Sequence, residues 1–203
     1  MAGLFKGGGT ALVTGAAAGI GQAIALAFAA ESCLQIAIGD VNTDGLDKTQ
    51  QLIASEFPNV TVYTGRLDVF LCERAQLTQI LKQDVPPGLK NRGSIVNVTS
   101  VCQTVLRNNY SAFAASKGGV LAITKCDAYD YGPDNIRVNC VATGITSTAD
   151  DAGVFAEKTP LRRTGTPNDI ADAIVWLSSP KASFITGTTL TVDGGYNLRN
   201  GPP

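Results

Sequence analysis

The chain has 203 residues, a length typical of one domain, and we take residues 1–203 as a single domain. Lys and Arg number 16 and Asp and Glu 17, so the formal net charge of -1 argues against a nucleic-acid binder or a polybasic membrane anchor. The absence of histidine excludes Ser-His-Asp and Cys-His nucleophiles, histidine zinc sites and a histidine general base.

Five cysteines are scattered along the chain without a Cys-x-x-Cys pair. This pattern predicts reduced core cysteines in an intracellular compartment rather than disulfides or metal ligands. The longest apolar run, Ala23–Ala30, is too short to span a membrane, and Met1–Gly9 lacks the apolar core of a signal peptide. We therefore expect a cytoplasmic protein with no membrane, metal or nucleic-acid partner.

Short apolar runs alternate with amphipathic stretches along the chain. Strands are predicted at Thr10–Thr14, Leu34–Gly39, Val60–Tyr63, Ser94–Val98, Ile136–Cys140 and Leu190–Val192. Helices are predicted from Ile20 and over Asp47–Phe57, Phe70–Gln83, Ser111–Tyr129 and Ile170–Leu177, the last after the start signal Thr166–Asp169. This alternation is typical of an α/β fold, a doubly wound and mostly parallel sheet with helices on both faces.

A glycine-rich turn, Thr14-Gly-Ala-Ala-Ala-Gly-Ile-Gly21, joins the first strand to the first helix. Glycines allow a tight turn and a close approach to a pyrophosphate, while the helix N-terminus supplies free N–H groups. Asp40 ends the second strand, where an acid accepts hydrogen bonds from an adenosine ribose. No Arg stands beside either position to hold a 2′-phosphate, so the pattern favours NAD over NADP; the alternative is a turn without a ligand.

Thr14–Gly21 resembles the TGxxxGIG motif of the short-chain dehydrogenase/reductase superfamily. Other segments resemble further motifs of that family in the same order: Asp68-Val69, Gly93–Ser100, Ala114–Gly119, Pro160–Pro167 and Ile185–Gly195. The chain is identified as a member over about residues 8 to 196. The resemblance implies a Rossmann-like fold and a small carbonyl or alcohol substrate. It also implies a nicotinamide cofactor held by Gly15, Ala18, Gly19, Ile20, Gly21, Asp40, Asp68, Val69, Lys117, Thr146 and Thr148.

The catalytic positions of the family are only partly kept. In the family a tyrosine exchanges the proton, a lysine four residues later activates that tyrosine and binds the nicotinamide ribose, and a serine polarises the substrate oxygen. Ser100 and Lys117 occupy the matching positions, but Phe113 stands in the tyrosine position. Tyr110 is a weak substitute if the helix begins early, or else lies in the preceding loop. Phe113 is then expected to pack in the core or pocket.

A segment of the family pattern is missing between Asp68 and Ser94. The stretch Val69–Gly93 holds a single helix, whereas the family has there a fourth strand ending in Asn-Asn-Ala-Gly and a helix with a functional asparagine. We expect the strand Ser94–Val98 to close against the first strand, because an open central edge leaves backbone groups unpaired. The family's Pro-Gly is altered to Thr143-Gly144, and Ser147–Lys158 is a candidate substrate lid.

Three interpretations of the function stay open. The chain is an NAD-dependent oxidoreductase that uses Ser100, Lys117 and either Tyr110 or water, a silent relative that binds a nucleotide, ligand or partner protein, or a truncated splice or gene-model form. The predicted helices Phe70–Gln83 and Ser111–Tyr129 resemble the pair of helices through which subunits of the family contact each other, and this resemblance implies a homo-oligomer. The C-terminal sequence, which ends in Gly-Tyr-Asn-Leu-Arg-Asn-Gly, resembles fungal members of the family, some of which serve secondary metabolism. Trp176 is expected to pack in the core.

Overall fold

A computed structural model of the chain describes residues 3–5, 8–66, 69–103, 109–146, 156–157 and 159–199. Strands in this part of the chain are β1 Thr10–Thr14, β2 Gln35–Asp40, β3 Thr61–Arg66, β4 Gly93–Ser100, β5 Ile136–Thr143 and β6 Thr189–Val192. The α-helices are α1 Gly19–Ala30, α2 Thr43–Glu56, α3 Val69–Leu81, α4 Ser111–Asp130 and α5 Pro167–Ser178. The predicted α/β alternation is confirmed.

The strands form two parallel sheets of three, in the orders β1-β2-β3 and β4-β5-β6. In the first sheet Leu12, Ala37 and Tyr63 lie side by side in register across the three strands. In the second sheet Ser100 pairs with Thr143 at the end of β4 and β5. The predicted parallel, Rossmann-like arrangement is therefore present, but as two half-sheets.

The expected closure of the sheet is wrong, because β1 and β4 are not hydrogen-bonded to each other. The backbones of β1 and β4 do not approach each other as closely as those of the strands that pair within each sheet. The physical reason is the packing of α1 against α5, which form one apolar core with both half-sheets. Ile24 of α1 and Ile174 of α5 share this core with Val13 of β1 and Val141 of β5. The helix pair sets the spacing of the half-sheets, and the break coincides with the strand that the sequence lacks.

The two faces of the β1-β2-β3 sheet differ in their cover. On one face Val13, Ile36 and Ile38 are buried beneath α1 and α2. On the other face Leu12 is 40% exposed and Tyr63 is 57% exposed. Since side chains of a strand alternate between the faces, the apolar residues on this second face have no helix packed over them in the described part of the chain.

A buried arginine fastens the end of α5 to the second sheet. The Arg137 guanidinium, on β5, donates hydrogen bonds to the carbonyl oxygens of Leu177, Ser178, Ser179 and Ile185 at 2.9–3.2 Å. Burial lowers the pKa of Arg137 to about 10, so the side chain remains charged at neutral pH. The positive charge lies at the C-terminal end of α5, where the helix dipole favours a cation.

The start of α5 is the predicted one. Thr166 Oγ1 accepts from the backbone N–H of Asp169, and the Asp169 carboxylate accepts from the Thr166 N–H, which makes a capping box. The expectation for Trp176 is wrong, since this side chain is 40% exposed. Ile170, Ile174 and Leu177 form the buried face of α5, and Trp176 falls on the other side of the helix.

All five cysteines are free thiols, and Cys33, Cys72 and Cys140 are buried. The expectation of core cysteines is wrong for Cys126, which is exposed, while Cys102 is half-buried. Burial raises the pKa of Cys33 and of Cys140 to about 11. A search of the described helices for one long and apolar enough to cross a membrane finds none.

Candidate functional site

The glycine-rich turn adopts a backbone that only glycine accepts easily. Gly15 and Gly19 have φ angles of 70° and 56°, in the left-handed region. A Cβ at Gly21 would collide with the carbonyl oxygen of Gly15, so this glycine permits the turn to fold back onto the first turn of α1. The three glycines are therefore required by the local geometry.

The N-terminus of α1 opens at this turn. Ala18 is the N-cap residue, with an extended backbone and no side-chain cap, and the first helical bond joins Gln22 N to Ala18 O at 3.3 Å. The N–H groups of Gly19, Ile20 and Gly21 consequently have no partner within the helix. Free N–H groups and the positive end of the helix dipole form a cradle that fits the diphosphate of a dinucleotide.

Asp40 lies beside the turn at the end of β2. Its Oδ1 accepts from the N–H of Asn42 at 3.0 Å and its Oδ2 from the N–H of Ala17 at 3.1 Å. These hydrogen bonds, that of Asn42 foremost, lower the pKa of Asp40, so the carboxylate is ionised at neutral pH. Each oxygen keeps a lone pair for another donor, which suits the vicinal hydroxyls of a ribose.

Helix α2 supports the turn through residues that sequence reasoning missed. The fully buried Thr49 donates its hydroxyl to Ala16 O at 2.8 Å and accepts from Gln22 Nε2 at 2.9 Å. A Cβ at Gly45 would lie 2.6 Å from that of Ala17, so α2 packs directly on the turn. The available signal was Gly45 and Thr49, four residues apart, on one face of a helix that follows the turn.

Ser100 and Lys117 lie at the C-terminal end of β4 and on the helix packed against it. Ser100 Oγ accepts from Cys102 N at 3.2 Å and lies 3.5 Å from Thr143 O. Lys117 Nζ donates to Val98 O at 3.4 Å. Both side chains thus lie at the same end of β4, and the backbone of Lys117 is held there because Thr99 Oγ1 donates to its carbonyl oxygen at 2.9 Å.

Phe113 lies next to Lys117 on the surface of α4. Its side chain is 43% exposed, so of the two expected environments, core or pocket, the core is wrong. Lys117 Nζ lies 5.7 Å from the ring centroid, within the range of a cation–π contact. Tyr110, the N-cap residue of α4, packs edge-on against Phe113 with ring centroids 5.9 Å apart. The ring that faces the lysine has no hydroxyl group.

The remaining predicted contacts are described only in part. Asp68 and Thr148 lie outside the described residues, as does nearly all of the candidate lid Ser147–Lys158. Val69 begins α3. Thr146 forms an isolated parallel bridge with Gly165 beyond the end of β5.

A polar cluster links β4 to the helices beside it, and it was not predicted. Asn97 Nδ2 donates to Glu73 Oε1 at 2.9 Å and to Thr124 Oγ1 at 3.0 Å. Burial raises the pKa of Glu73, and the nearby carboxylate of Asp127 raises it further. The cluster joins α3, α4 and the strand that carries Ser100.

A cavity of about 490 Å³ adjoins the loop that follows β5. Ile145, Leu161, Val192 and Leu198 give it apolar walls, and Arg163 lies at its edge. Ile145 comes two residues after Thr143, whose backbone pairs with that of Ser100. This cavity could accommodate the apolar part of a small molecule.

Comparison with known proteins places these features in context. Residues 73–197 match a family model described as enoyl-(acyl carrier protein) reductase. An A-factor type gamma-butyrolactone 1'-reductase of Streptomyces virginiae is 38% identical over 140 residues, covering 64% of this chain and 52% of that protein. The chain thus spans about half the length of this relative.

Two further similarities extend over almost the whole chain. A 3-oxoacyl-(acyl-carrier-protein) reductase of Thermotoga maritima is 32% identical over 240 residues, covering 93% of this chain and 97% of that protein. The NADPH-bound structure of a short chain oxidoreductase from Pseudomonas aeruginosa, which contains an atypical catalytic center, superimposes with a TM-score of 0.81. The superposition covers 92% of this chain and 95% of the Pseudomonas chain, and the two sequences are 20% identical, so the similarity shows a shared fold.

Proposed function

Because the chain belongs to the short-chain dehydrogenase/reductase superfamily of oxidoreductases, we propose that it binds NAD(H) and acts on a small carbonyl or alcohol compound. The observation that carries the proposal is the glycine-rich turn, where free N–H groups of α1 and the Asp40 carboxylate face the same ligand space. When bound, the nicotinamide supplies or accepts the hydride.

The proposed binding roles follow from the chemistry of each group. The N–H groups of Gly19, Ile20 and Gly21 would hold the diphosphate, and Asp40 would accept from the adenosine ribose. NAD is favoured because the charge of Asp40 would repel a 2′-phosphate at close range. Gly15, Ala18, Asp68, Val69, Thr146 and Thr148 are assigned to the same cofactor from their positions in the family pattern.

The proposed proton chemistry is incomplete. Ser100 would polarise the substrate oxygen and Lys117 would bind the nicotinamide ribose, while Phe113 has no proton to exchange. A positioned acid or base typically contributes about 10²–10⁴ in rate, so turnover through Tyr110 or water should be slow. The apolar cavity beside Ile145 favours a substrate with an apolar body.

A second function is a binding protein without turnover. The contact between Lys117 and Phe113 favours it, because the ammonium group faces a ring that cannot ionise. In that case Ser100 and Lys117 are retained from an active ancestor. A truncated form of a longer enzyme is the third alternative, and transcript sequencing across the codons for Val69 and Phe70 would identify it.

Titration of the purified chain with NADH, followed by fluorescence, tests the proposal. We expect saturable binding that Gly21→Ala abolishes, because the added Cβ meets the Gly15 carbonyl. Gly132→Ala is the matched control, since a Cβ there enters open space. Failure of both NADH and NADPH to bind would reject the function. Binding of NADH without its consumption across a panel of aldehydes and ketones would favour the second function, a binding protein without turnover.

The proposal includes a cytoplasmic location, supported by the five free cysteines, and assembly into a homo-oligomer, supported by the family resemblance of α3 and α4. A role in fungal secondary metabolism rests on the amino-acid sequence of the C-terminal segment alone. Light scattering at high concentration tests the assembly.

A further inference from the structure

We propose that the cavity beside Arg163 binds an uncharged small molecule with an apolar body and a carbonyl oxygen, and that Arg163 donates hydrogen bonds to this oxygen. The assignment rests on the proposed function, in which the cavity receives the apolar body of the substrate. It adds the charge of that substrate and the residue that recognises it. Because Ser100 is assigned to the reacting oxygen, the oxygen at Arg163 is a second one.

The walls of the cavity are mostly apolar. The volume of about 490 Å³ lies within the usual range of small-molecule sites. The apolar wall residues are Ile145, Leu161, Ile170, Val192 and Leu198. Leu161 and Leu198 are 65% and 82% exposed, so the cavity offers apolar surface that a ligand can cover. Removal of this surface from water favours a ligand with an apolar body.

Arg163 lines the cavity and has two N–H groups that no described residue uses. Its Nη1 donates to Asp169 Oδ2 at 2.7 Å and to Thr164 O at 3.2 Å, and its Nη2 donates to Asp169 Oδ1 at 2.7 Å. A guanidinium has five N–H groups in one plane, so the Nε–H and the second Nη2–H remain. These two lie side by side, and one carbonyl oxygen can accept from both.

The ionised groups of the cavity wall indicate the charge of the ligand. Arg163 and Asp169 form an ion pair, whereas Asp193 adds a second carboxylate. Asp193 accepts from the N–H groups of Gly195 at 2.9 Å and Asn197 at 2.7 Å, and no cation of the described chain pairs with it. The wall therefore carries a net negative charge, which repels an anion. An ammonium ligand has only donors and cannot accept from Arg163.

Two probes of equal size separate these ligand classes. Benzylacetone is an uncharged ketone, and hydrocinnamate has the same number of heavy atoms with a carboxylate in place of the acetyl group. Saturation-transfer NMR titrations of the full chain without cofactor measure the binding of both. We expect saturable binding of the ketone in the millimolar range, as is usual for so small a molecule. Hydrocinnamate should bind at least ~10-fold more weakly.

Variants of the chain test the two roles in the wall. Arg163→Lys keeps the charge beside Asp169 but loses the planar pair of N–H groups, so it should bind benzylacetone at least ~5-fold more weakly. Arg162→Lys is the matched control, because Arg162 is not part of the cavity wall, and its affinity should stay within about twofold. Asp193→Asn keeps an acceptor for the turn and removes the charge, so the preference for the ketone should narrow to below ~3-fold.

Equal or tighter binding of hydrocinnamate to the unmodified chain would overturn the proposal, as would unchanged ketone affinity in Arg163→Lys. An unchanged preference in Asp193→Asn would overturn it as well. Circular dichroism checks the fold of each variant, and the two probes with Asp193→Asn decide the matter if Arg163→Lys does not fold. A parallel NADH titration separates the two proposals. Binding of NADH without the ketone rejects the ligand assigned to the cavity, and binding of the ketone without NADH or NADPH rejects the oxidoreductase function.

Discussion

The Thr49 hydroxyl lies 2.8 Å from the carbonyl oxygen of Ala16, and it joins α2 to the glycine-rich turn from a fully buried position. Thr49→Val keeps the shape and removes the donor, leaving a buried carbonyl and the Gln22 amide without this partner. We expect the free energy of unfolding to fall by about 1–3 kcal/mol and NADH to bind more weakly, as measured by urea unfolding and fluorescence titration. Thr78→Val is the control, because that hydroxyl bonds to its own helix on the surface. Unchanged NADH affinity in Thr49→Val would contradict this role.

Replacing Asp40 tests the choice of cofactor. Asp40→Ala should weaken NADH binding and leave NADPH binding unchanged or tighter, because a ribose acceptor and a repulsive charge are lost together. The pKa of Asp40 is lowered in the fold, so NADH affinity should stay constant as the pH falls from 7 to about 5, above the ordinary Asp value of roughly 3.9. Asp47→Ala, an exposed acid of α2, is the control. Tighter binding of NADPH than of NADH to the unmodified chain would reverse the assignment.

Restoring the hydroxyl at residue 113 tests the proton chemistry. Phe113→Tyr should raise turnover of NADH with carbonyl substrates, with a ceiling near the 10²–10⁴ factor that a positioned acid typically supplies. The gain should be partial, because the missing strand affects positioning, which one hydroxyl does not repair. It should require Lys117, so Phe113→Tyr with Lys117→Met should be as slow as the unmodified chain. Strong activity of the unmodified chain that Tyr110→Phe removes would assign the proton step to Tyr110.

The ion pair at the start of α5 predicts a pH-dependent stability. Arg163 donates two hydrogen bonds of 2.7 Å to Asp169, which also caps the helix, and these contacts hold the pKa of Asp169 well below its usual range. Asp169→Asn should lower the free energy of unfolding by about 1 kcal/mol at pH 7, the typical effect of a lost cap. Because the pKa of Asp169 is lower in the folded chain than in the unfolded chain, its charge stabilises the fold at pH values above the unfolded pKa, and this stabilisation is lost on acidification. The difference in free energy of unfolding between the unmodified chain and Asp169→Asn should therefore narrow below about pH 4. Asp172→Asn should show no such difference in urea unfolding.

The cysteines should differ in their rate of thiol labelling. Cys126 is exposed on α4, while Cys33 and Cys140 are buried with pKa values raised to about 11. Since the thiolate is the reactive form, a disulfide reagent at pH 8 should modify Cys126 fast and the buried pair only after unfolding in urea. Cys126→Ser should remove the fast phase. Fast modification of Cys140 in the native chain would contradict the packing of β5.

The order of strands and helices was predictable because its signals are local. Apolar runs, glycines and the capping residues Thr166 and Asp169 act within a few positions of one another. The strands extend beyond their predicted ends, β4 to Ser100 and β5 to Thr143, because pairing with a neighbour lengthens them. The turn around Gly15–Gly21 was predicted for the same reason.

The features that were missed depend on contacts between distant parts of the chain. Thr49 meets Ala16 only after α2 has packed on the turn, and the spacing of Gly45 and Thr49 marks one face of α2 without identifying the turn as its partner. The distance between β1 and β4 is set by the packing of α1 against α5. The expectation that unpaired strand edges close against each other takes no account of that packing. Trp176 was assigned to the core because it lies in an amphipathic helix, yet its neighbours Ile174 and Leu177 are the buried residues.

The packing of α1 against α5 also bears on how the chain folds. Within each half-sheet, strands that are neighbours in space are also successive in the chain, so each can assemble early with modest loss of chain entropy. Joining the halves requires Pro167–Ser178 to reach Gly19–Ala30, at opposite ends of the chain. Contacts of such large sequence separation slow folding because closure of the long loop comes before any gain from the contact. We therefore expect the docking of α5 onto α1 to come late in folding.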